Sequence, residues 1–170
     1  MAPPSIRGLE LVYDSIEVAD IPAHARNVAG YVDGAWPTSA ELRRRFPQAR
    51  VLTIATSPRN VAQFLDVEAG DGTLADVVPW LERALAAGVK RPGIYASLAA
   101  WPELLRVCRA AGWPRPRIKV WIAHWNDRQH VCSPSCGFGL QTNAGATQFS
   151  GPAAGRHYDV SVATPLFLNS

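Results

Sequence analysis

Residues 61–97 read VAQFLDVEAGDGTLADVVPWLERALAAGVKRPGIYAS, and the fold prediction rests on this stretch. The segment 61–67 is an apolar strand that ends at an acidic pair, and 93–97 is a second short strand. Between them, Thr73 is predicted to cap a helix, with Asp76 three residues later completing a capping box. Apolar residues then recur at helical spacing through the rest of that helix. A strand, a helix and a second strand in this order predict parallel pairing in an α/β fold.

The same alternation extends in both directions from this unit. Helices are predicted after the second, fourth and fifth strands, and eight strands in all imply closure into a barrel. We therefore predict a single α/β domain over residues 1–170, a TIM-barrel-like (β/α) barrel of about eight strands with fewer than eight helices. The remaining predicted elements are strands over 11–16, 28–33, 51–56, 118–123, 147–149 and 158–162, and helices over 39–46 and from a Ser97 cap to about Gly112.

Acidic residues stand at the predicted strand ends, where a parallel barrel gathers its reactive groups. Asp66 and Glu68 are two residues apart, so on an extended strand both side chains point to the same side. Like charges and partial burial would raise the pKa of one of them and provide a proton donor at neutral pH. Glycoside hydrolysis requires such an acid together with a second carboxylate. The alternative is that these acids are structural strand-end residues bonded to turn amides or to arginine. The other acids at strand ends are Asp14, Asp33 and Asp159.

Aromatic and amide side chains accompany these acids. Aromatic faces suit stacking on sugar rings, and an amide or hydroxyl supplies hydrogen bonds to sugar hydroxyls. The predicted substrate-binding residues are Tyr95, Trp121, Trp125, Gln148 and Tyr158. Ser97 and His124 are further hydrogen-bonding candidates, although a structural role is favoured for His124. Trp80, Trp101 and Trp113 are predicted to belong to the core.

The composition excludes several other classes of protein. The 170 residues are 48% hydrophobic and 18% charged, with a formal charge of +3, as in an ordinary globular domain. No apolar run approaches the roughly 18 residues that cross a membrane, and the first residues do not form a secretory signal. The densest basic cluster, Arg43-Arg44-Arg45, is interpreted as a solvated helix face. We therefore expect no membrane or nucleic-acid partner, and either a cytoplasmic location until lysis or association with a virion.

Three cysteines are present, and the prediction for Cys108 differs from that for Cys132 and Cys136. Cys108 lies in an apolar helical stretch and is predicted to be core. Cys132 and Cys136 flank a short loop and would form a local disulfide or stay reduced inside a cell. With His124 and His130 they offer a minor alternative, a zinc site, which is disfavoured because no second pair of ligands has suitable spacing. The prediction is therefore that no metal or other cofactor is needed.

The order of these motifs resembles glycoside hydrolase family 25, the lysozyme-like muramidases, and related glycoside-hydrolase-like barrels of actinobacteria and their phages. None of the motifs is specific alone, but together they span almost the whole chain in the family's order. They are Tyr13-Asp-Ser15, Phe64-Leu-Asp-Val-Glu68, Gly93-Ile-Tyr-Ala-Ser97, Val120-Trp-Ile-Ala123, and Thr147-Gln-Phe-Ser150 followed by Tyr158-Asp-Val-Ser161.

The resemblance implies a function and a set of roles. The protein would hydrolyse the β-1,4 bond after N-acetylmuramic acid in peptidoglycan, without a cofactor. Glu68 would be the general acid, and Asp66 would stabilise the transition state or position a neighbouring group. Asp14 and Asp159 would bind substrate and tune the acid.

The chain also departs from the family pattern. Asp14 directly precedes Ser15, where the muramidases usually have one residue between, and His124-Trp125 follows the sixth strand in place of the usual aromatic-led pattern. The chain is also shorter than a typical muramidase. These departures keep a second hypothesis open, a non-catalytic barrel that serves as a structural or glycan-binding module beside other subunits of a larger assembly such as a phage particle. A cytoplasmic enzyme acting on another carbohydrate is a third.

Overall fold

The computed structural model describes residues 8–137, 139, 141–152 and 155–170, and its centre is a closed barrel of eight strands in chain order. Each strand pairs with its sequence neighbours, and the eighth closes the barrel against the first. The predicted eight-stranded barrel is confirmed. The strands are β1 Glu10–Asp14, β2 Asn27–Tyr31, β3 Arg50–Ala55, β4 Phe64–Val67, β5 Gly93–Ser97, β6 Lys119–Ala123, β7 Ala146–Ser150 and β8 Asp159–Ala163.

The sheet is mixed, and the prediction of a wholly parallel barrel is wrong at its last strand. Strands β1 to β7 run parallel, whereas β8 is antiparallel to both β7 and β1. The link 151–158 shows no helix in its described residues, so the chain turns back at the end of β7 and returns as a hairpin. Asp159 therefore begins β8 at the same end of the barrel where Asp14 ends β1, and the two residues pair across the strands.

Four α-helices occur in the part of the chain that the structure describes: α1 Ser39–Arg45, α2 Val77–Ala86, α3 Trp101–Ala110 and α4 Pro165–Asn169. The first three were predicted, and α4 was not. The capping box of Thr73 and Asp76 is confirmed, although it caps a 3₁₀ turn that leads into α2. The predicted Ser97 cap is wrong, because its side chain makes no capping hydrogen bond and a 3₁₀ turn separates it from α3.

The barrel interior is filled with large aromatic side chains toward the end where the parallel strands begin. Phe64 on β4 stacks on Phe167 of α4 with ring centroids 5.3 Å apart, and Trp121 on β6 packs edge-on against Phe64 at 5.2 Å. Gly93 gives Phe64 its room, because a Cβ there would lie 2.3 Å from the Phe64 ring. Helix α4 thus helps to plug this end, and the other end remains for polar groups.

A second apolar layer lies between the barrel and the helices. Trp80, Trp101 and Trp113, predicted to be core, are all buried there, and so is Cys108. The side chains of Arg43, Arg44 and Arg45 are exposed, in agreement with a solvated helix face. None of the helices in the described ranges is long and apolar enough to cross a membrane.

Candidate active site

Four acidic residues meet at the end of the barrel where the parallel strands finish. Asp14 ends β1, Asp66 lies in β4, Glu68 follows β4, and Asp159 begins β8. The charges of Asp159 and Asp66 raise the pKa of Asp14. The charge of Glu68 raises the pKa of Asp66, and the charge of Asp159 raises the pKa of Glu68. The sequence-predicted acids of the site are therefore brought together, and three strands position them.

Asp14 and Asp159 form a carboxyl pair. The two side chains lie close enough to share a hydrogen bond when one of them is protonated. Burial raises the pKa of Asp14 well above its usual range, and the charge of Asp159 raises it further. Burial also raises the pKa of Asp159, against the hydrogen bond from Asp14 and the positive charge of Arg156. Both carboxyls of the pair therefore hold a proton more tightly than free aspartates do.

Asp66 is the acid with the weakest solvation. Only 2% of the residue is exposed, and its Oδ1 atom has no hydrogen-bond partner among the described residues. Burial raises the pKa of Asp66 to about 8, with added contributions from the charges of Glu68 and Asp71. Asp66 is therefore protonated at neutral pH and can donate a hydrogen bond as well as accept one.

Glu68 is the exposed member of the cluster and lies at its rim. Partial burial of its carboxyl raises its pKa, and so do the charges of Asp71 and Asp159. A rim position with a raised pKa leaves Glu68 able to meet a ligand from solvent while it holds a proton more tightly than a free glutamate does.

Gln148 connects the acids to two aromatic residues. Its Nε2 donates to Asp14 Oδ2 at 3.3 Å, while its Oε1 accepts from Tyr95 Oη at 2.8 Å and from Trp125 Nε1 at 2.6 Å. The pairing of β7 with β8 shifts register between Gln148 and Ser150, an irregularity of the kind that re-aims side chains near active sites. Trp125 is 61% exposed, so one face of its indole is open to solvent above this network.

Tyr31 is a site residue that the sequence analysis missed. It ends β2 and is partly buried among the acids, and burial together with the charges of Asp14, Asp66, Glu68 and Asp159 raises its pKa above the usual range. The strand-end rule that found Asp14 applies equally to Tyr31.

Asp33 is structural and lies outside the acid cluster. Burial alone would raise its pKa, but hydrogen bonds from Asn60, Thr56 and Ser57 outweigh it and lower the pKa below the usual value. The carboxylate accepts from Asn60 Nδ2 at 2.7 Å and from the backbone N–H of Thr56 at 2.7 Å, which organises the loop between β3 and β4. Asp33 is thus a strand-end acid bonded to turn amides, the structural role given above as the alternative for Asp66 and Glu68.

Three other candidates are placed differently from Tyr95, Trp125 and Gln148. Trp121 is fully buried, and its Nε1 donates to Ser161 Oγ at 3.0 Å inside the barrel. Tyr158 packs edge-on against Tyr13 at 5.6 Å, in an outer cluster. Ser97 is exposed and is the last residue of β5. Of the predicted substrate-binding residues, the structure brings Tyr95, Trp125 and Gln148 to the acids.

None of the four acids is ion-paired in the described part of the chain. Arg156 lowers the pKa of Asp159 through its charge, but no described Lys, Arg or His forms an ion pair with any of the four acids. Asp66 Oδ1 lacks a hydrogen-bond partner there. Buried carboxyl oxygens without partners are costly, and a ligand rich in hydroxyl groups would satisfy them.

His124, the remaining hydrogen-bonding candidate, belongs to a second group of side chains beside the site. Cys132 and Cys136 are both free thiols, so the local disulfide is absent. Their sulfur atoms and the rings of His124 and His130 converge, with all four potential ligand atoms within 4.8 Å of one another.

Comparison with known proteins supports the fold. No family model and no curated protein sequence matches the chain. An uncharacterized protein of B. stearothermophilus, solved by crystallography at 1.07 Å, superposes with a TM-score of 0.69 over 94% of this chain and 98% of its own. The two sequences are 17% identical, so the likeness extends to the fold alone.

Proposed function

We propose that this protein is a glycoside hydrolase that cleaves peptidoglycan, with Glu68 as the general acid. The observation that carries the proposal is the convergence of four acids at one end of the barrel, all with raised pKa values and none ion-paired in the described residues. Clustered carboxyls with raised pKa values are what acid-catalysed glycoside cleavage requires.

The groups divide the chemistry between them. Glu68, exposed at the rim, passes its proton to the glycosidic oxygen as the bond from the sugar C1 to that oxygen breaks. In its ionised form, a carboxylate of the Asp14–Asp159 pair stabilises the positive charge that develops on the sugar ring. A water molecule then adds at C1 and gives its proton to a carboxylate of the cluster. Protonated Asp66 donates a hydrogen bond to the bound sugar.

The surroundings favour a carbohydrate over a charged substrate. Trp125 offers an exposed aromatic face directly above Gln148, and aromatic faces are suited to the apolar side of a sugar ring. The uncompensated acids disfavour an anion at the reacting centre, while the unpartnered Oδ1 of Asp66 accepts hydrogen bonds from hydroxyl groups. The choice of the bond after N-acetylmuramic acid follows from the family resemblance.

The test compares Glu68→Gln with Glu82→Gln, a matched change at an exposed position on α2. Loss of the general acid should reduce the release of reducing sugar from cell walls by about 10²–10⁴-fold, because glutamine keeps the shape but has no proton to give. Glu82→Gln should keep full activity. Equal activity in Glu68→Gln and the wild type would contradict the assignment.

A second candidate function is a glycan-binding module without catalysis. It is favoured by the burial of the supporting acids, since Asp14 is 5% and Asp66 2% exposed, which leaves Glu68 and Trp125 as the groups in open contact with solvent. Sedimentation with cell walls distinguishes the two functions. Binding that depends on Trp125 without clearing of the walls would support the module, and clearing would support the enzyme.

A further inference from the structure

We propose that His124, His130, Cys132 and Cys136 bind one zinc ion in a structural site that fastens the loop after β6 to the barrel. The inference concerns the fold of this loop and does not rest on the proposed glycosidase activity. The sequence disfavoured zinc because the ligands do not fall into two regularly spaced pairs. The structure removes that objection, because the loop folds back and brings all four ligand atoms within 4.8 Å of one another.

Three of the six distances between ligand atoms match tetrahedral coordination. Cys132 Sγ lies 3.4 Å from His124 Nδ1 and 3.6 Å from His130 Nε2, and Cys136 Sγ lies 3.7 Å from His130 Nε2. With zinc–sulfur bonds of about 2.3 Å and zinc–nitrogen bonds of about 2.0 Å, tetrahedral angles place neighbouring ligand atoms about 3.3–3.8 Å apart. The three distances fall in that range.

The orientation of His130 is that of a metal ligand. Its Nδ1 lies 2.7 Å from the carbonyl oxygen of Arg128, so Nδ1–H donates there and the lone pair of Nε2 faces the two sulfur atoms. A backbone carbonyl that fixes the tautomer of a ligating histidine is the usual second partner in metal sites. The two imidazole rings meet edge-on, with centroids 5.2 Å apart, so that they converge without stacking.

The backbone holds the ligands in place from two sides. The N–H of His124 donates to the Gln148 carbonyl at 2.9 Å, and the N–H of Cys132 donates to Thr147 Oγ1 at 2.8 Å. Both contacts tie the loop to β7. Cys136 ends a 3₁₀ turn, and Gly137 after it has a left-handed φ of 82°. The ligands are therefore held by the sheet and by a tight turn, which preorganises the site.

The ligand chemistry selects zinc and a structural role. Two thiolates neutralise the two positive charges of Zn²⁺, and two sulfur and two nitrogen atoms in a tetrahedron are typical of zinc. Four protein ligands leave no open position for water or substrate, which distinguishes a structural from a catalytic site. Trp125 directly follows the ligand His124, so the ion would also hold the exposed indole over Gln148.

The first test measures metal content in the full-length protein purified under a thiol reductant. We expect one zinc per chain in the wild type, and zinc at background level in the Cys132→Ser/Cys136→Ser double variant. Cys108→Ala and His24→Ala, a buried cysteine and an exposed histidine outside the cluster, are the matched controls and should retain one zinc per chain. A folded double variant that retains one zinc per chain would overturn the proposal.

A second test uses only wild-type protein, so that it remains informative if the variants fail to fold. Reduced wild-type protein is freed of metal with a chelator and then titrated with cobalt(II). We expect thiolate-to-cobalt charge-transfer absorption and the intense visible bands of tetrahedral coordination, both saturating at one cobalt per chain. Backbone amides of residues 124–136 should exchange faster without metal, whereas those of β5 should not change. A reduced, folded wild type that binds neither zinc nor cobalt, or that shows cobalt absorption without sulfur bands, would overturn the proposal.

Discussion

Replacing Asp66 by asparagine should stabilise the protein at alkaline pH and leave it nearly unchanged at acid pH. The pKa of Asp66 is raised from 3.8 to about 8 in the folded state, chiefly by burial. Below about pH 4 the side chain is protonated in both the folded and the unfolded states. Between the two pKa values only the folded state keeps the proton, so the free energy of unfolding falls as pH rises, and above about pH 8 the loss is complete.

The size of the effect follows from the width of that window. Each pH unit costs about 1.4 kcal/mol for one group, so the full window has an upper bound of about 6 kcal/mol. Relaxation of the carboxyl and entry of water reduce this, and we expect a gain of about 2–3 kcal/mol for Asp66→Asn at pH 8. Urea unfolding at several pH values between about 4 and 8 measures it directly.

Asp33→Asn is the matched control, and its expected sign is opposite. Hydrogen bonds hold the pKa of Asp33 below its usual value, so its carboxylate stabilises the fold above the unfolded pKa, and that stability is lost as pH falls through the folded pKa. The variant should lose about 1 kcal/mol at neutral pH after allowance for solvent screening. If Asp66→Asn destabilises the protein equally at pH 4 and pH 8, the raised pKa of Asp66 is refuted.

Two further predictions concern the hydrogen bonds of Gln148 and the packing of α4 in the barrel end. Gln148→Leu should lower the free energy of unfolding by about 2–4 kcal/mol, because the buried Tyr95 hydroxyl and the Asp14 carboxyl lose Gln148 as a hydrogen-bond partner. The control variant Gln141→Leu, at an exposed position, should stay within about 0.5 kcal/mol of wild type. Equal losses in the two variants would contradict the role of the network. Phe167→Ala should lower the free energy of unfolding by about 3–5 kcal/mol, measured by chemical denaturation, because α4 would no longer fill the barrel end beside Phe64. A loss below about 1 kcal/mol would show that Phe167 is not packed in the barrel end as described.

The strands of the barrel were predictable because their apolar and β-branched runs are short and bounded by turns. Strand direction was not predictable in the same way, because the alternation of side chains is identical in parallel and antiparallel strands. The link between β3 and β4 has only eight residues, yet it joins two parallel strands. This is possible because the first residue of β4, Phe64, pairs with Ile54 near the end of β3. A link of equal length between β7 and β8 makes an antiparallel hairpin. The length of a link therefore did not predict whether the two strands it joins are parallel or antiparallel.

The candidate site was predictable where strand ends supply the residues and not where loops do. Asp14, Asp66 and Glu68 follow from the strand-end rule. Asp159 reaches the same end only because β8 runs backwards, which the sequence did not reveal. Trp121 shows the limit of reading aromatic residues as ligand-binding, since alternation directs it into the packed interior.

The cysteine and histidine cluster depends on how a loop folds back, which no spacing rule predicted. Asp127, between the two histidines, adopts a left-handed φ of 53° while its carboxylate accepts from Ser150 Oγ at 2.6 Å. Such a turn is specified by a contact with a distant strand, so it has no local sequence signal that distinguishes it from other polar loops.

The most direct measurement of the central claim is the chemical identity of the ends produced when the purified protein is incubated with cell-wall glycan. The proposed function predicts new reducing ends that carry N-acetylmuramic acid, detected by reduction and mass spectrometry of the released fragments. Their yield should disappear in Glu68→Gln and persist in Glu82→Gln. Intact glycan strands after incubation with folded wild-type protein would contradict the claim that the acid cluster is a hydrolase site.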